Sequence, residues 1–309
     1  MVDTDTFLTT LYVQVDTFCK QQGPAETPKP GAKPSLCCSE VVTLAIFGQW
    51  AQFRSERDFY RYAQQHLRAA FPNLPTRSQF NRLLRQHREV IVAFSLDVTE
   101  ALQQPTDIYE AVDSLGVPTR HAKRRGAGWM DGLSGLGWSN RLGWYQGFHV
   151  LTAVTPQGVI TGYGFASGNT SDQALTETFL AVRDTPTPAL ASVGRTRSRV
   201  YIVDKGFEGV KRRQRWERVY GVQVICAPRK HSLHPWSKEW RRWLAGRRQI
   251  VETVHDKLTH AFRLDTERPH ELAGFQARLG AKMALHNFCI WLNQQLGRDL
   301  LAFADLIDW

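Results

Sequence analysis

The chain has 309 residues, 42% hydrophobic and 22% charged, which suits a soluble globular protein of one large domain or two ordinary ones. Lys and Arg outnumber Asp and Glu 39 to 29; the formal charge of +10 and pI near 9.6 point to a polyanionic partner, nucleic acid above all. No apolar run approaches the roughly 20 residues that span a bilayer, and the acidic start Met1–Asp5 introduces no signal peptide. Five cysteines without CxxC or Cys/His spacing fit neither a disulfide framework nor a zinc site. The expectation is a cytoplasmic protein with no membrane association.

The first hundred residues read as helical. Phe7, Leu8, Leu11, Val15 and Phe18 form one apolar stripe, and Pro24, Pro28, Pro30 and Pro34 mark a linker. Val41, Val42, Leu44, Ala45 and Ile46 predict a second, strongly apolar helix. Ser55 with Asp58 three residues on predicts the cap of a third, ending near Ala70. One further helix is expected from Arg77 to about Leu102. Its arginines, Arg77, Arg82, Arg85 and Arg88, suit a helix-turn-helix DNA reader and equally the solvated face of a bundle helix.

The texture changes at Pro105, and a division into a helical domain, 1–104, and a catalytic domain, 105–309, is expected. Ile108–Ser114 reads as a short strand ending at Asp113. Residues 120–140 read as a long glycine-rich loop whose Arg120, Lys123, Arg124 and Arg125, beside Trp129 and Trp138, suit a nucleic-acid backbone. A long hairpin loop accounts for the same composition. Residues 144–154 and 159–165 read as a hairpin, and Ser171 as the cap of the helix that follows.

Val200–Val203 is an unalternating apolar run, the pattern of a strand covered on both faces, and it stops at Asp204–Lys205–Gly206. A basic helix, a strand at 222–227, a basic Trp-containing connection, a helix carrying Glu252 and an apolar helix from Leu272 complete the chain. Strand, strand, strand, helix, strand, helix, strand, helix predicts an α/β fold. In it, a ribonuclease-H-like mixed five-stranded sheet is flanked by helices and preceded by a small all-helical domain.

In such a sheet the first and fourth strands are neighbours, so Asp113 and Asp204 would meet, with Glu252 brought in by the later helix. Three carboxylates without histidine or cysteine suit hard cations. Two Mg²⁺ ions roughly 3.5–4 Å apart, with Mn²⁺ as a substitute, can activate a water or 3′-hydroxyl and stabilise the leaving oxygen of a phosphodiester. The other tempting residues have plainer readings. His149 reads as a strand-face residue, Asp172 as helix-start chemistry and His286 as structural, while His255 and Asp256 follow Glu252 closely enough to share its face.

Five blocks, Ala111–Pro118, Gly147–Val150, Ser167–Asp172, Val203–Phe207 and Arg247–Val254, resemble successive blocks of DDE transposases from bacterial insertion sequences. The likeness runs from about Tyr109 to Asn293, and Val15–Lys20 and Ser39–Ile46 resemble the helical front of one such group. The resemblance implies that Asp113, Asp204 and Glu252 are the catalytic, metal-binding triad. It also matches Arg248 to the arginine of the family's Tyr-Arg-Glu-Lys signature, a phosphate contact. The signature's tyrosine position is Ala245 here and its lysine position Thr259, with Lys257 nearby but out of register.

The implied activity is cleavage at terminal inverted repeats of double-stranded DNA and joining of the 3′-hydroxyls to target DNA, by a homodimer assembled on DNA. A ribonuclease-H-like nuclease without strand transfer, or a non-catalytic DNA-binding derivative, remains open at this point.

Overall fold

The computed structural model describes residues 1–22, 34–121, 123, 130, 132–184, 198–207, 209–228, 232 and 235–309. In chain order the first elements are β1 (Val2–Asp3), α1 (Thr4–Gln22), α2 (Cys38–Phe47), α3 (Glu56–His66), α4 (Arg77–Gln86) and α5 (Arg88–Leu102). Then come β2 (Glu110–His121), β3 (Gly135–Ser139), β4 (Gly143–Val154), β5 (Ile160–Ser167), α6 (Asp172–Asp184), β6 (Val200–Ile202), α7 (Val210–Tyr220) and β7 (Gln223–Ile225). The last are α8 (Lys238–His260), α9 (Leu272–Gln295) and β8 (Ile307–Asp308). None of the described helices is long and apolar enough to cross a membrane.

Two compact units form: Met1–Val98 with His260–Arg263 and His270–Trp309, and Thr99–Thr259 with Leu264–Pro269. In the first, α1 buries the predicted stripe Phe7, Leu11, Val15 and Phe18. Phe7 meets Phe47, Trp50 and Phe288 ring to ring, and Trp50 meets Phe262, so aromatic area dominates this core. α9 is buried nearly all round, as its lack of a polar face requires. Its buried Lys282 is satisfied by Gln49 Oε1 at 2.9 Å and the carbonyl of Phe262 at 2.7 Å.

Ser55 caps α3 by accepting from Asp58 N at 3.1 Å. The single helix expected from Arg77 is instead two: α4 is capped by His87, whose N–H bonds to the carbonyl of Leu83, and the Arg88 side chain donates to the carbonyl of Arg85. Arg85 pairs with Glu271 and Arg88 with Glu89.

The second unit holds a mixed sheet. β4 lies antiparallel to β2 on one side, and on the other it pairs with β3 through Gly143–Gly147 and with β5 through Phe148–Val154. β6 is parallel to β2, and β7 parallel to β6. Read through β5, the order is β5-β4-β2-β6-β7, the ribonuclease-H-like arrangement, with β3 as an additional strand along the edge of β4. Part of the expected loop is therefore sheet: β2 runs on to His121, and Asp113 lies inside the strand opposite Thr152 rather than at its end. Gly147 makes the close β2–β4 approach possible, since a Cβ there would stand 2.1 Å from the carbonyl oxygen of Val117.

Both faces of the sheet are covered, which explains why the β6 run does not alternate. Tyr201 and Val203 join Val112, Phe179 and Trp216 on the face that carries α6 and α7. Ile202 joins Tyr109, Ala227 and Leu244 of α8 on the other. A buried ion pair fixes α6: Arg183 contacts Glu110 at 2.5 Å and donates to Tyr201 Oη at 2.8 Å and Thr161 Oγ1 at 3.0 Å.

Candidate active site

The parallel register of β2 and β6 sets the first two acids. Glu110 stands opposite Tyr201 and Ala111 opposite Ile202, so the same offset brings Asp113 level with Asp204, just past the end of β6. Phe207 N closes a turn onto the carbonyl of Asp204 at 3.1 Å, which stops the strand and leaves that carboxylate half-exposed at the crevice. Side chains alternate along β2, so Asp113 faces the side of the sheet that carries α8, while Ser114 faces α6.

Arg248 is the hub. Its guanidinium donates to Asp204 Oδ1, reaches Glu252 Oε1 at 2.5 Å one helical turn on, and lies 3.9 Å from Asp113 Oδ2. Burial works against its charge, but Glu252, Asp113 and Asp204 outweigh burial and hold its pKa above the ordinary value. Burial likewise pushes the Asp113 carboxyl up to about 6, against the opposing pull of the Ser114 N–H at 2.9 Å and of Arg248. The nearby charges of Asp204 and Asp172 push it in the same direction as burial.

Among the described residues no group of three or more His, Cys, Asp or Glu side chains stands ready to hold a metal ion; the three acids meet through the guanidinium. The donor chemistry nevertheless fits a hard divalent cation. All three groups are carboxylates, they come from β2, the end of β6 and α8, and they already surround a cation.

The structure also places Lys257, Arg120 and Lys123. Lys257 lies five residues beyond Glu252 on α8, about 140° round the helix from it. Arg120 sits seven residues along β2 from Asp113, about 23 Å away at the rise of a strand. Lys123 is exposed beyond the end of β2, and Arg124 and Arg125 lie outside the described residues.

Two neighbours carry more than their sequence reading gave them. Asp172, at the start of α6, accepts the Ser114 hydroxyl and stands 3.9 Å from His149 Nδ1, whose N–H donates to the Thr170 carbonyl at 2.9 Å. His255 Nε2 and the Thr152 hydroxyl hydrogen-bond at 2.8 Å, tying α8 to the residue opposite Asp113. Burial, with Arg141 and Arg248 nearby, pushes the His255 imidazole down to about 3, so its ring is neutral near pH 7. The Ser167–Asp172 block and the spacing of His255 from Glu252 were the signals available.

A search of curated proteins returns no match. Among solved structures, the Mos1 transposase paired-end complex with left transposon end aligns over 82% of this chain and 86% of that one. The identity is 10% and the TM-score 0.24, too loose a superposition to carry an argument. A family model described as the transposase DDE domain matches residues 110–288, a stretch that contains Asp113, Asp204, Arg248 and Glu252. That match covers more than half of the sequence, and the chain belongs to the transposase DDE-domain family.

Proposed function

We propose that the chain is a DNA transposase that cleaves phosphodiester bonds at the ends of an insertion sequence and joins the freed 3′-hydroxyls to target DNA. The observation that carries this reading is the convergence of Asp113, Asp204 and Glu252 on one cationic group. Asp113, Asp204 and Glu252 would hold two Mg²⁺ ions, or Mn²⁺ in their place. When bound, these supply a lowered pKa for the attacking water or 3′-hydroxyl and charge stabilisation for the leaving oxygen.

The chain's own residues supply the rest. The β2–β6 register sets Asp113 level with Asp204, and the turn closed by the Phe207 N–H holds Asp204 just past the end of β6. Arg248 offsets part of the negative charge of the three acids in the free protein and, one turn before Glu252, would turn to a DNA phosphate once they are occupied. The Ser114–Asp172 contact and the His255–Thr152 bond brace β2 and α8 around the acids. Two element ends must be processed together, which calls for a homodimer assembled on double-stranded DNA, with the inverted repeats and the target as its partners.

The test is cleavage and joining of labelled DNA bearing the element's own ends, with and without Mg²⁺, for the wild type, Asp204→Asn and Glu252→Gln. Mg²⁺-dependent joined products that vanish in both variants are expected. Full activity in either variant would remove the triad assignment, and cutting without joining would identify a nuclease instead.

A further inference from the structure

On the side of the sheet away from α8, a groove of about 570 Å³ opens to solvent between the first turns of α6 and α7. It is lined by Gln173, Glu177, Gly209, Lys211, Arg212 and Arg215. The first turns of α7 carry Lys211, Arg212, Arg213 and Arg215, with no acid in the first turn. Lys211, Arg212 and Arg215 are exposed.

Among the described residues the one carboxylate in the groove wall is already engaged. Glu177 accepts from Trp216 Nε1 and from Tyr220 Oη at 3.1 Å, and it holds Arg215 at 3.1 Å. Trp216 is wholly buried in the core, so Glu177 locks α7 against α6 and fixes where the cations stand. Among the described residues neither Lys211 nor Arg212 has a carboxylate partner.

The α6 wall is tied to the chain beside both acids. Gln173 Nε2 donates to the carbonyl of Gly206 at 2.7 Å, two residues past Asp204. Asp172, next to Gln173, accepts from Ser114, next to Asp113. We infer that this groove, on the face of the sheet opposite the acids, holds the phosphate backbone of a DNA duplex. Long flexible cations, helped by the N-terminal end of α7, would do so without reading base sequence. The inference rests on the reading of the acids as a DNA-processing site and names a contact surface for that same substrate.

The test measures binding of the full chain to a short labelled duplex of arbitrary sequence, in EDTA, as salt rises from about 50 to about 200 mM. A Lys211→Gln/Arg212→Gln double variant should bind about tenfold more weakly at the lower salt, with a log–log salt slope shallower by about 2. The charge-matched double variant Arg199→Gln/Arg218→Gln, at exposed positions outside the groove, should leave affinity and slope near wild type.

Thermal melts establish that both variants are folded. An unchanged slope in the groove variant, or an equal loss in the control, would overturn the inference. Because no metal or cleavage is involved, the two readings fail separately. A protein that needs the groove to bind DNA but never cuts it would sink the proposed function alone. Normal cutting with an unchanged salt slope would sink the groove alone.

Discussion

Asp113, in β2, stands level with Asp204, just past the end of the parallel strand β6, because one register pairs Glu110 with Tyr201 and Ala111 with Ile202. The two carboxylates are held together by backbone hydrogen bonds laid down several residues away, not by any attraction between them. The charge of Asp204 raises the cost of charging Asp113, and the guanidinium of Arg248 offsets that cost.

That balance predicts the behaviour of Arg248→Gln. Without the guanidinium three carboxylates face one another with no cation, and metal-free stability should fall by about 1–2 kcal/mol, a modest figure because Asp204 and Glu252 are about half exposed. Millimolar Mg²⁺ should raise the melting temperature of the variant more than that of the wild type. Equal shifts in a thermal melt would show that Arg248 and the metal do not share the same acids.

His255 gives a pH dependence with a definite sign. Its folded pKa lies below the ordinary value, so its neutral ring contributes fully above the unfolded pKa and the contribution is lost as pH falls toward 3. Between pH 7 and pH 5 the wild type should lose about 2 kcal/mol from this group alone. Denaturant unfolding of His255→Gln at the two pH values should show a correspondingly flatter profile.

The Glu110–Arg183 pair should be costly to break and cheap to replace. Both side chains are almost wholly buried, so Arg183→Met strands a carboxylate in the core and should cost about 3–5 kcal/mol. Adding Glu110→Leu should recover most of that loss, because two buried charges are then absent together. Urea midpoints for the two variants decide it.

Gly147 lies in one of the blocks that resemble DDE transposases, yet its role here is steric. Gly147→Ala would drive a methyl group onto the Val117 carbonyl and the Pro118 backbone, and should cost about 2–3 kcal/mol by forcing β2 and β4 apart. Slowed amide exchange across β2–β4 that survives the substitution unchanged would count against this account.

Much of this protein was legible in its residues. The apolar run before Asp204, the stripe on α1, the Ser55 cap and the hairpin at 143–167 follow from period, propensity and turn chemistry, which act over a few positions. The order of strands and helices then limits the sheet to few arrangements, and the ribonuclease-H-like one puts Asp113 beside Asp204. The length of β2 and the extra strand β3 were hidden, because glycine-rich sequence reads as loop until a neighbouring strand supplies its hydrogen bonds.

Sequence by itself therefore determined most of the elements and singled out the three acids. Tertiary structure alone decided that Arg248 bridges all three acids, that Asp172 reaches Ser114 and that His255 braces the residue opposite Asp113. Those contacts depend on the rotation of α8 and α6 against the sheet. That rotation is fixed by burying Leu244 on one face and Leu175, Phe179 and Leu180 on the other, a packing result that no local stretch of chain encodes.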